Sequence, residues 1–250
     1  MKRIFIYIML ITGLSSLVLS CGDEHLFLES ATPVTSGARV KFFHAATDIP
    51  GVVVSVNDKI VSGVLTTTGT TPGLVTYGSV FPILDYSVIP AGTAKVKVTV
   101  PATSTTPEVN LNNDLPLSDG KYYTVHAVGA LGSYSFFVSE DDLSIPDPNK
   151  TYIRFINAMA VTPATGLDFV VNNVVASTET ALSDGKEPFI AYDQPGTTRF
   201  TIVLRETGKT AALSTLTSLN FVRGKKYTIV SRGVFNSSTA KPTIGFVNNN

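Results

Sequence analysis

Short runs in which apolar and polar residues alternate one for one recur along most of this chain. Lys95-Val96-Lys97-Val98-Thr99-Val100 and Phe200-Thr201-Ile202-Val203-Leu204 are clear cases. A period of two sends successive side chains to opposite faces, so such runs predict strands packed on a core by one face. Val, Ile, Thr, Tyr and Phe fill the runs, while Gly, Pro, Asn and Asp gather between them, as strands and turns require. No stretch after Cys21 keeps a helical spacing of apolar positions for three turns. The predicted fold class is all-β.

The runs occur twice. Arg39-Val40-Lys41-Phe42-Phe43-His44-Ala45 is echoed by Tyr152-Ile153-Arg154-Phe155-Ile156-Asn157-Ala158. Gly51-Val52-Val53-Val54-Ser55-Val56-Asn57 is echoed by Gly166-Leu167-Asp168-Phe169-Val170-Val171-Asn172. Further on, Gly92, Gly120, Tyr123 and Gly129 recur 104 positions later as Gly196, Gly224, Tyr227 and Gly233. Four matches in one register inside similar apolar runs indicate a tandem duplication. The copies are placed at 38–142 and 151–250. Between them, residues 143–150 read as a linker, because Pro146 and Pro148 lack the backbone donor a strand needs.

Each copy carries a tyrosine after a turn: Leu117-x-x-Gly120-x-x-Tyr123, and Phe221-x-x-Gly224-x-x-Tyr227. The spacing resembles the tyrosine corner of Greek-key sandwiches, in which the hydroxyl bonds back to the chain at a crossover. Each copy is therefore expected to form an immunoglobulin-like antiparallel β-sandwich of seven or eight strands. One cysteine and no tryptophan leave no immunoglobulin disulfide and no core indole.

The start of the chain is different. Lys2 and Arg3 precede an apolar run from Ile4 to Leu19, interrupted by Thr12, Gly13, Ser15 and Ser16, and Val18-Leu19-Ser20-Cys21 closes it. The run is shorter than the roughly 20 apolar residues of a membrane span. It resembles the signal peptide and lipobox of bacterial lipoproteins, whose cysteine is acylated and whose chain is cut just before it. The resemblance implies a signal peptide at 1–20, lipidation of Cys21 and a lipidated tether at 21–37. Asp23 and Glu24 read as a solvated tether, or resemble a surface-export signal of Gram-negative lipoproteins. Residues 22–37, as a flexible coil, would span roughly 20–25 Å. Cleavage takes away Lys2 and Arg3 and no acid, leaving 17 cations against 19 carboxylates. That balance, with lysines and arginines scattered singly, argues against a nucleic-acid partner.

Several motifs of the repeat resemble the bacterial domain-of-unknown-function family 4397. They are Ala38-Arg39-Val40-Lys41-Phe42-Phe43-His44-Ala45, the Val-x-Val-Asn strand ending at Asn57, Pro90-Ala91-Gly92, and Gly120-Lys121-x-Tyr123-Thr124-Val125. In the second copy His44 becomes Asn157 and Pro-Ala-Gly becomes Gln194-Pro195-Gly196. The resemblance implies an exported, surface-associated β-sandwich and brings no catalytic residue or substrate with it.

Candidate chemistry is sparse. Ser118-Asp119-Gly120-Lys121 and Ser183-Asp184-Gly185-Lys186 both satisfy Ser-x-x-Lys, which in penicillin-binding enzymes places nucleophile and base on one helix face. Asp-Gly between strand-like runs is turn chemistry instead. His25, His44 and His126 are isolated from other residues at zinc-ligand spacing. Glu140, Asp141, Asp142 and Asp147 could hold Ca²⁺ at the linker, but lack a calcium-loop register and read as a solvated acidic hinge. Tyr134, Phe136 and Phe137 share a run, and the adjacent Phe pair should face opposite ways, leaving one exposed or covered by a partner element.

These readings predict no catalytic residue, no metal and no cofactor. The expected protein is a non-catalytic cell-surface lipoprotein of a Gram-negative outer membrane, held through lipid on Cys21, that binds a glycan or protein ligand or mediates adhesion. The alternatives are a fimbrillin-like structural subunit assembling by strand exchange, and an accessory protein of an extracellular enzyme or glycan-uptake system.

Overall fold

The computed structural model describes residues 36–49, 51–62, 73–102, 107–130, 132–196 and 199–249. The leader, Cys21 and the tether up to Thr35 lie outside the described residues. Alternating sequence becomes strand throughout. The first copy runs β1 (Ala38–His44), β2 (Gly51–Val56), β3 (Lys59–Ile60), β4 (Val75–Thr76), β5 (Val80–Phe81), β6 (Ser87–Ile89), β7 (Gly92–Val100), β8 (Val109–Leu117), β9 (Tyr122–Ala130) and β10 (Ser133–Glu140). The second runs β11 (Thr151–Asn157), β12 (Leu167–Val171), β13 (Val174–Glu179), β14 (Ile190–Tyr192), β15 (Phe200–Glu206), β16 (Ala212–Leu219), β17 (Lys226–Arg232) and β18 (Thr243–Asn248).

Each copy is a sandwich of two sheets. In the first, β10-β9-β1-β5, with β6 also on β1, faces β3-β2-β7-β8, with β4 on β2; in the second, β14-β11-β17-β18 faces β13-β12-β15-β16. The first copy exceeds the expected strand number through the short strands β4 and β5. Pairing is not wholly antiparallel. β1 runs parallel to β9 and β11 parallel to β17, in equivalent registers: Val40 opposes Tyr123, and Ile153 opposes Tyr227. A parallel neighbour needs a long crossover, and here the rest of each sandwich supplies it.

The repeated residues fix repeated geometry. Tyr123 accepts the Ser118 N–H at 3.2 Å and Tyr227 the Val222 N–H at 3.0 Å, so both tyrosine corners form. Asn57-Asp58 and Asn172-Asn173 all have positive φ, as a two-residue hairpin with the right strand twist demands. The first Asn of each pair also accepts a neighbouring strand's N–H, from Lys95 at 3.0 Å and Thr201 at 2.9 Å. Gly129 and Gly233 have φ of 120° and 115°; a Cβ there would lie 2.1 Å from Ser133 O and 2.5 Å from Lys241 O.

Strand parity divides the side chains of the inner sheets. Val40, Phe42, Val125 and Ala127 enter the first core; Ile153, Phe155, Tyr227 and Ile229 enter the second. The intervening residues form a third apolar cluster. Phe43, Ala45 and Val128 of the first copy pack with Ile156, Ala158, Val230 and Val247 of the second, flanked by Val80 and Phe137. The four sheets thus stack, with the two inner ones face to face, and Ser36–Asn250 forms a single compact unit. Burial of a large aliphatic or aromatic side chain is worth about 1.5–3 kcal/mol, so this contact is a substantial part of the fold.

The expected solvated acidic hinge is corrected at its centre. Asp141 is 1% exposed and lies between the sandwiches. The other three carboxylates diverge: Glu140 pairs with Lys121 at 2.7 Å, while Asp142 accepts the Ser144 N–H and Asp147 the Asn149 N–H. Local turns, not hydration alone, shape the linker.

Candidate functional site

The densest set of buried polar side chains sits between the sandwiches, at the end where the linker leaves the first. Lys41 from β1, Arg154 from β11 and Asp141 just after β10 are each at most 1% exposed. A carboxylate in that setting needs every lone pair used. Asp141 pairs with Arg154 Nη2 and accepts from Thr124 Oγ1 at 2.6 Å and from the Tyr86 hydroxyl at 3.0 Å. Arg154 also donates to Thr228 Oγ1 and, through Nη1, to Glu140 O at 3.0 Å. Lys41 Nζ donates to Asn248 O at 2.7 Å.

Aromatic rings complete the lining. Lys41 Nζ stands 4.6 Å from the centre of the Tyr86 ring, and the Arg154 guanidinium 4.5 Å from that of Phe189. Burial lowers the Lys41 pKa, opposed by Asp141 and Asp85; it raises that of the Tyr86 hydroxyl, and the Asp141 charge adds to the rise. With its groups bonded to one another and shut from solvent, the cluster is a lock between sandwiches and offers no substrate a reactive atom.

The sequence did not single out Lys41, Arg154, Tyr86 or Phe189. A signal was present: one cation at the same place in two otherwise apolar runs, Val40-Lys41-Phe42-Phe43 and Ile153-Arg154-Phe155-Ile156.

The residues that were singled out have structural work. His44 ends β1 and accepts the Ala46 N–H at Nδ1, and its replacement Asn157 accepts the Met159 N–H at 3.1 Å. Both side chains close the same strand end, so the exchange of His for Asn keeps one role. Burial holds the His44 pKa down at about 4. His126 is buried on β9, stacked on Phe137 at 4.7 Å and 3.1 Å from Ser139 Oγ.

Neither Ser-x-x-Lys motif lies on a helix: the first spans a turn and the second an irregular loop with a bend at Gly185. Lys121 N bonds Ser118 O, and Lys186 Nζ pairs with Asp184 rather than with Ser183. Ser183 Oγ instead accepts the Asn157 N–H at 2.8 Å, and Gly185 presses on the β10 backbone, where a Cβ would come within 2.2 Å of Val138 O. Phe136 packs on the first core and Phe137 on the shared cluster, so the partner element covering it is the second sandwich. Among the described residues no three His, Cys, Asp or Glu side chains converge on a metal position. His25 and Cys21 lie outside the described residues.

Several concavities among the described residues open to solvent, two of them with partly apolar linings. One, of about 350 Å³, lies beside the lock and is lined by Glu140, Asp142, Tyr152, Lys186, Phe189 and Lys226, among others. Lys226 Nζ sits 4.6 Å from the Phe189 ring centre and 5.4 Å from that of Tyr152, and bonds the Asp142 carbonyl. Burial lowers its pKa, while Asp142 opposes the shift. Lys186, with its side chain 83% exposed, stands at the rim. The other, of about 390 Å³, is a shallower groove on the outer sheet of the first sandwich, bounded by Val53, Ile60, Leu74, Thr99 and Pro101. Both carry both signs of charge, the outer groove through Lys97 and Glu108; the junction cleft adds the aromatic side chains Tyr152 and Phe189.

Comparison with curated proteins returns no match. A family model does match, over residues 38–165, which takes in the whole first sandwich and the first strand of the second. The chain belongs to the family described as domain of unknown function (DUF4397).

Proposed function

We propose that this chain is a non-catalytic, lipid-anchored binding module of a bacterial cell surface, and that its ligand occupies the junction cleft. The observation that carries the reading is the cleft itself. It brings the aromatic side chains Tyr152 and Phe189 together with Glu140, Asp142, Lys186 and Lys226 beside a rigid contact between the sandwiches. Concave sites with apolar faces and a few placed polar groups are the usual form of a small-ligand site. A sugar or a short polar peptide fits such a lining: Pro146, Pro188 and the uncovered part of Phe189 take its apolar side, and Glu140, Asp142 and Lys186 its hydroxyls or amides. The buried lock has no group free for proton or acyl transfer, which supports binding over catalysis.

Lipid anchoring rests on the lipobox at Val18–Cys21, and export to the surface of a Gram-negative outer membrane on the acidic pair that follows it. The strand-exchange alternative gains no support from the sheets. β1 lies between β9 and the pair β5/β6, and β11 between β17 and β14, so the first strand of each sandwich is already flanked on both sides.

The test has two arms. Glycan and protein arrays probed with residues 22–250 should yield a ligand whose binding falls at least about tenfold in Lys186→Glu, with an unchanged melting temperature. Silence on both arrays, or full binding by the variant, sinks the cleft assignment. Mass spectrometry of the processed protein should find fatty acid on Cys21, lost in Cys21→Ala; an unmodified cysteine sinks the anchor.

A further inference from the structure

The contact between the sandwiches is built from equivalent positions of the two copies. The parallel registers align Lys41 with Arg154 and Thr124 with Thr228. Those of the following hairpins align Glu140 with Asn248, and the next residues, Asp141 and Asn249, each bond back to the equivalent strand, at Tyr122 O and Lys226 O. Tyr86 and Phe189 likewise occupy the same place, just before β6 and β14.

Contacts across the interface are then exchanged. Arg154 of the second copy donates to Glu140 O of the first, and Lys41 of the first donates to Asn248 O of the second. Each cation also covers its own copy's ring, and each threonine hydroxyl donates to its own copy's Asp141 or Asn249. Residue i touching j while j's counterpart touches i's counterpart is the hallmark of a two-fold, self-complementary contact.

We infer that this face is a docking surface for a second sandwich of the same type, and that the linker is dispensable for it. Its charge selects which sandwiches pair. Copy one against copy two buries Lys41, Arg154 and Lys226, with Asp141 the buried carboxylate among them and the exposed Asp142 3.6 Å from Lys226 Nζ. Copy two against itself would bury two Arg154 guanidinium groups with Asn249 in both carboxylate places and no anion. Such a pair leaves buried charge uncompensated and is disfavoured. Copy one against itself would match two lysines with two aspartates. The first sandwich is therefore the general partner and the second accepts only the first.

A protease site inserted between Ile145 and Pro146 of the 22–250 chain tests this, because the chain folds intact before it is cut. After cleavage the halves should stay associated one to one by size exclusion and native mass spectrometry. Separation of the wild-type halves, or dimers of the second half, would overturn the inference. In the cut protein Asp141→Asn should raise the dissociation constant at least about 100-fold, the usual consequence of stripping one partner from a buried ion pair. Asp114→Asn, an exposed carboxylate on the outer strand β8, should change it less than about fivefold. Equal effects from the two would refute the charge selection. Should Asp141→Asn fail to fold, the neutral pair Asp141→Leu with Arg154→Met carries the test. It should hold the halves within about tenfold of wild type, whereas Arg154→Met alone, which strands Asp141, should weaken them at least about 100-fold; equal affinities of the two would refute the charge selection.

Discussion

Acidification should loosen this protein well above the pH at which its carboxylates are lost, and His126 gives the clearest handle. Its ring is fully buried among Phe43, Phe137 and Ser139, and Nδ1 has no hydrogen-bond partner. Desolvation first, and the charge on Arg154 second, push its pKa down from 6.5 to about 3. An unfolded chain takes up this proton as the pH falls through about 6.5, whereas the folded chain refuses it until about 3. Between those limits the unfolded state binds more protons, so stability drops as the pH is lowered.

At 1.36 kcal/mol per unit, a sample at about pH 4.5 should have lost roughly 2.7 kcal/mol through His126. His44 acts with the same sign through its pKa of about 4 and should contribute a comparable loss. Together they remove about 5 kcal/mol, a large share of the 5–15 kcal/mol that a domain has. Urea unfolding of wild type and His126→Phe at about pH 7.5 and pH 4.5 separates the terms, because carboxylate effects are common to both proteins. Phe can keep the stack on Phe137 and cannot titrate. The variant should lose about 2.7 kcal/mol less stability than wild type on acidification. Equal losses would refute the assignment of a neutral, proton-refusing His126.

Three further outcomes follow from the repeated geometry. Tyr227→Phe keeps the stack on Phe221 at 4.0 Å but strands the Val222 N–H, and should cost about 1–2 kcal/mol in urea unfolding. Gly129→Ala drives a Cβ into the Ser133 carbonyl and should cost more than about 2 kcal/mol, whereas Gly132→Ala, at φ 84° with open space around it, should cost about 1. Asn172→Ala removes a positive-φ residue and its bond to Thr201 N, and thermal unfolding should register about 1–2 kcal/mol.

The strands, turns and corners were legible because each depends on near neighbours in the chain. Val96-Lys97-Val98 alternates whatever lies opposite, and Gly120-x-x-Tyr123 closes on residues five positions back. The contact between sandwiches was not legible, because its residues resemble a solvated face. Lys41, Arg154 and Asp141 are charged, and a charged residue in a strand ordinarily points to water. Only the opposing sheet turns them into a buried pair, and nothing local encodes that sheet. The adjacent pairs Phe42 and Phe43, and Phe136 and Phe137, were local hints that both faces of the first copy's inner sheet are covered. The junction cleft was hidden for a related reason: Lys186 to Phe189 have no period to read and gain meaning only beside Tyr152 and Lys226.

Covering both faces of the inner sheets constrains where a ligand can bind. A lone sandwich has two outer sheet faces; pairing through the inner sheets uses one from each copy and leaves β3-β2-β7-β8 and β13-β12-β15-β16 outward. The copies have diverged on the joined face in a directed way, with Asp141 against Asn249 and Tyr86 against Phe189. Those two changes do different jobs. Asn249 withholds the second carboxylate and so fixes which copy meets which, while Phe189, lacking the hydroxyl of Tyr86, frees its place from the hydrogen-bond network and borders the open cleft instead. Duplication thus yields a cleft lined by the end of one copy, the linker and the other copy. If that cleft is the ligand site, Phe189→Tyr should leave the fold intact and alter ligand affinity, whereas Tyr86→Phe should weaken the lock and the melting temperature, since Asp141 loses a donor. A Tyr86→Phe protein as stable as wild type would show that the two positions had not divided their work.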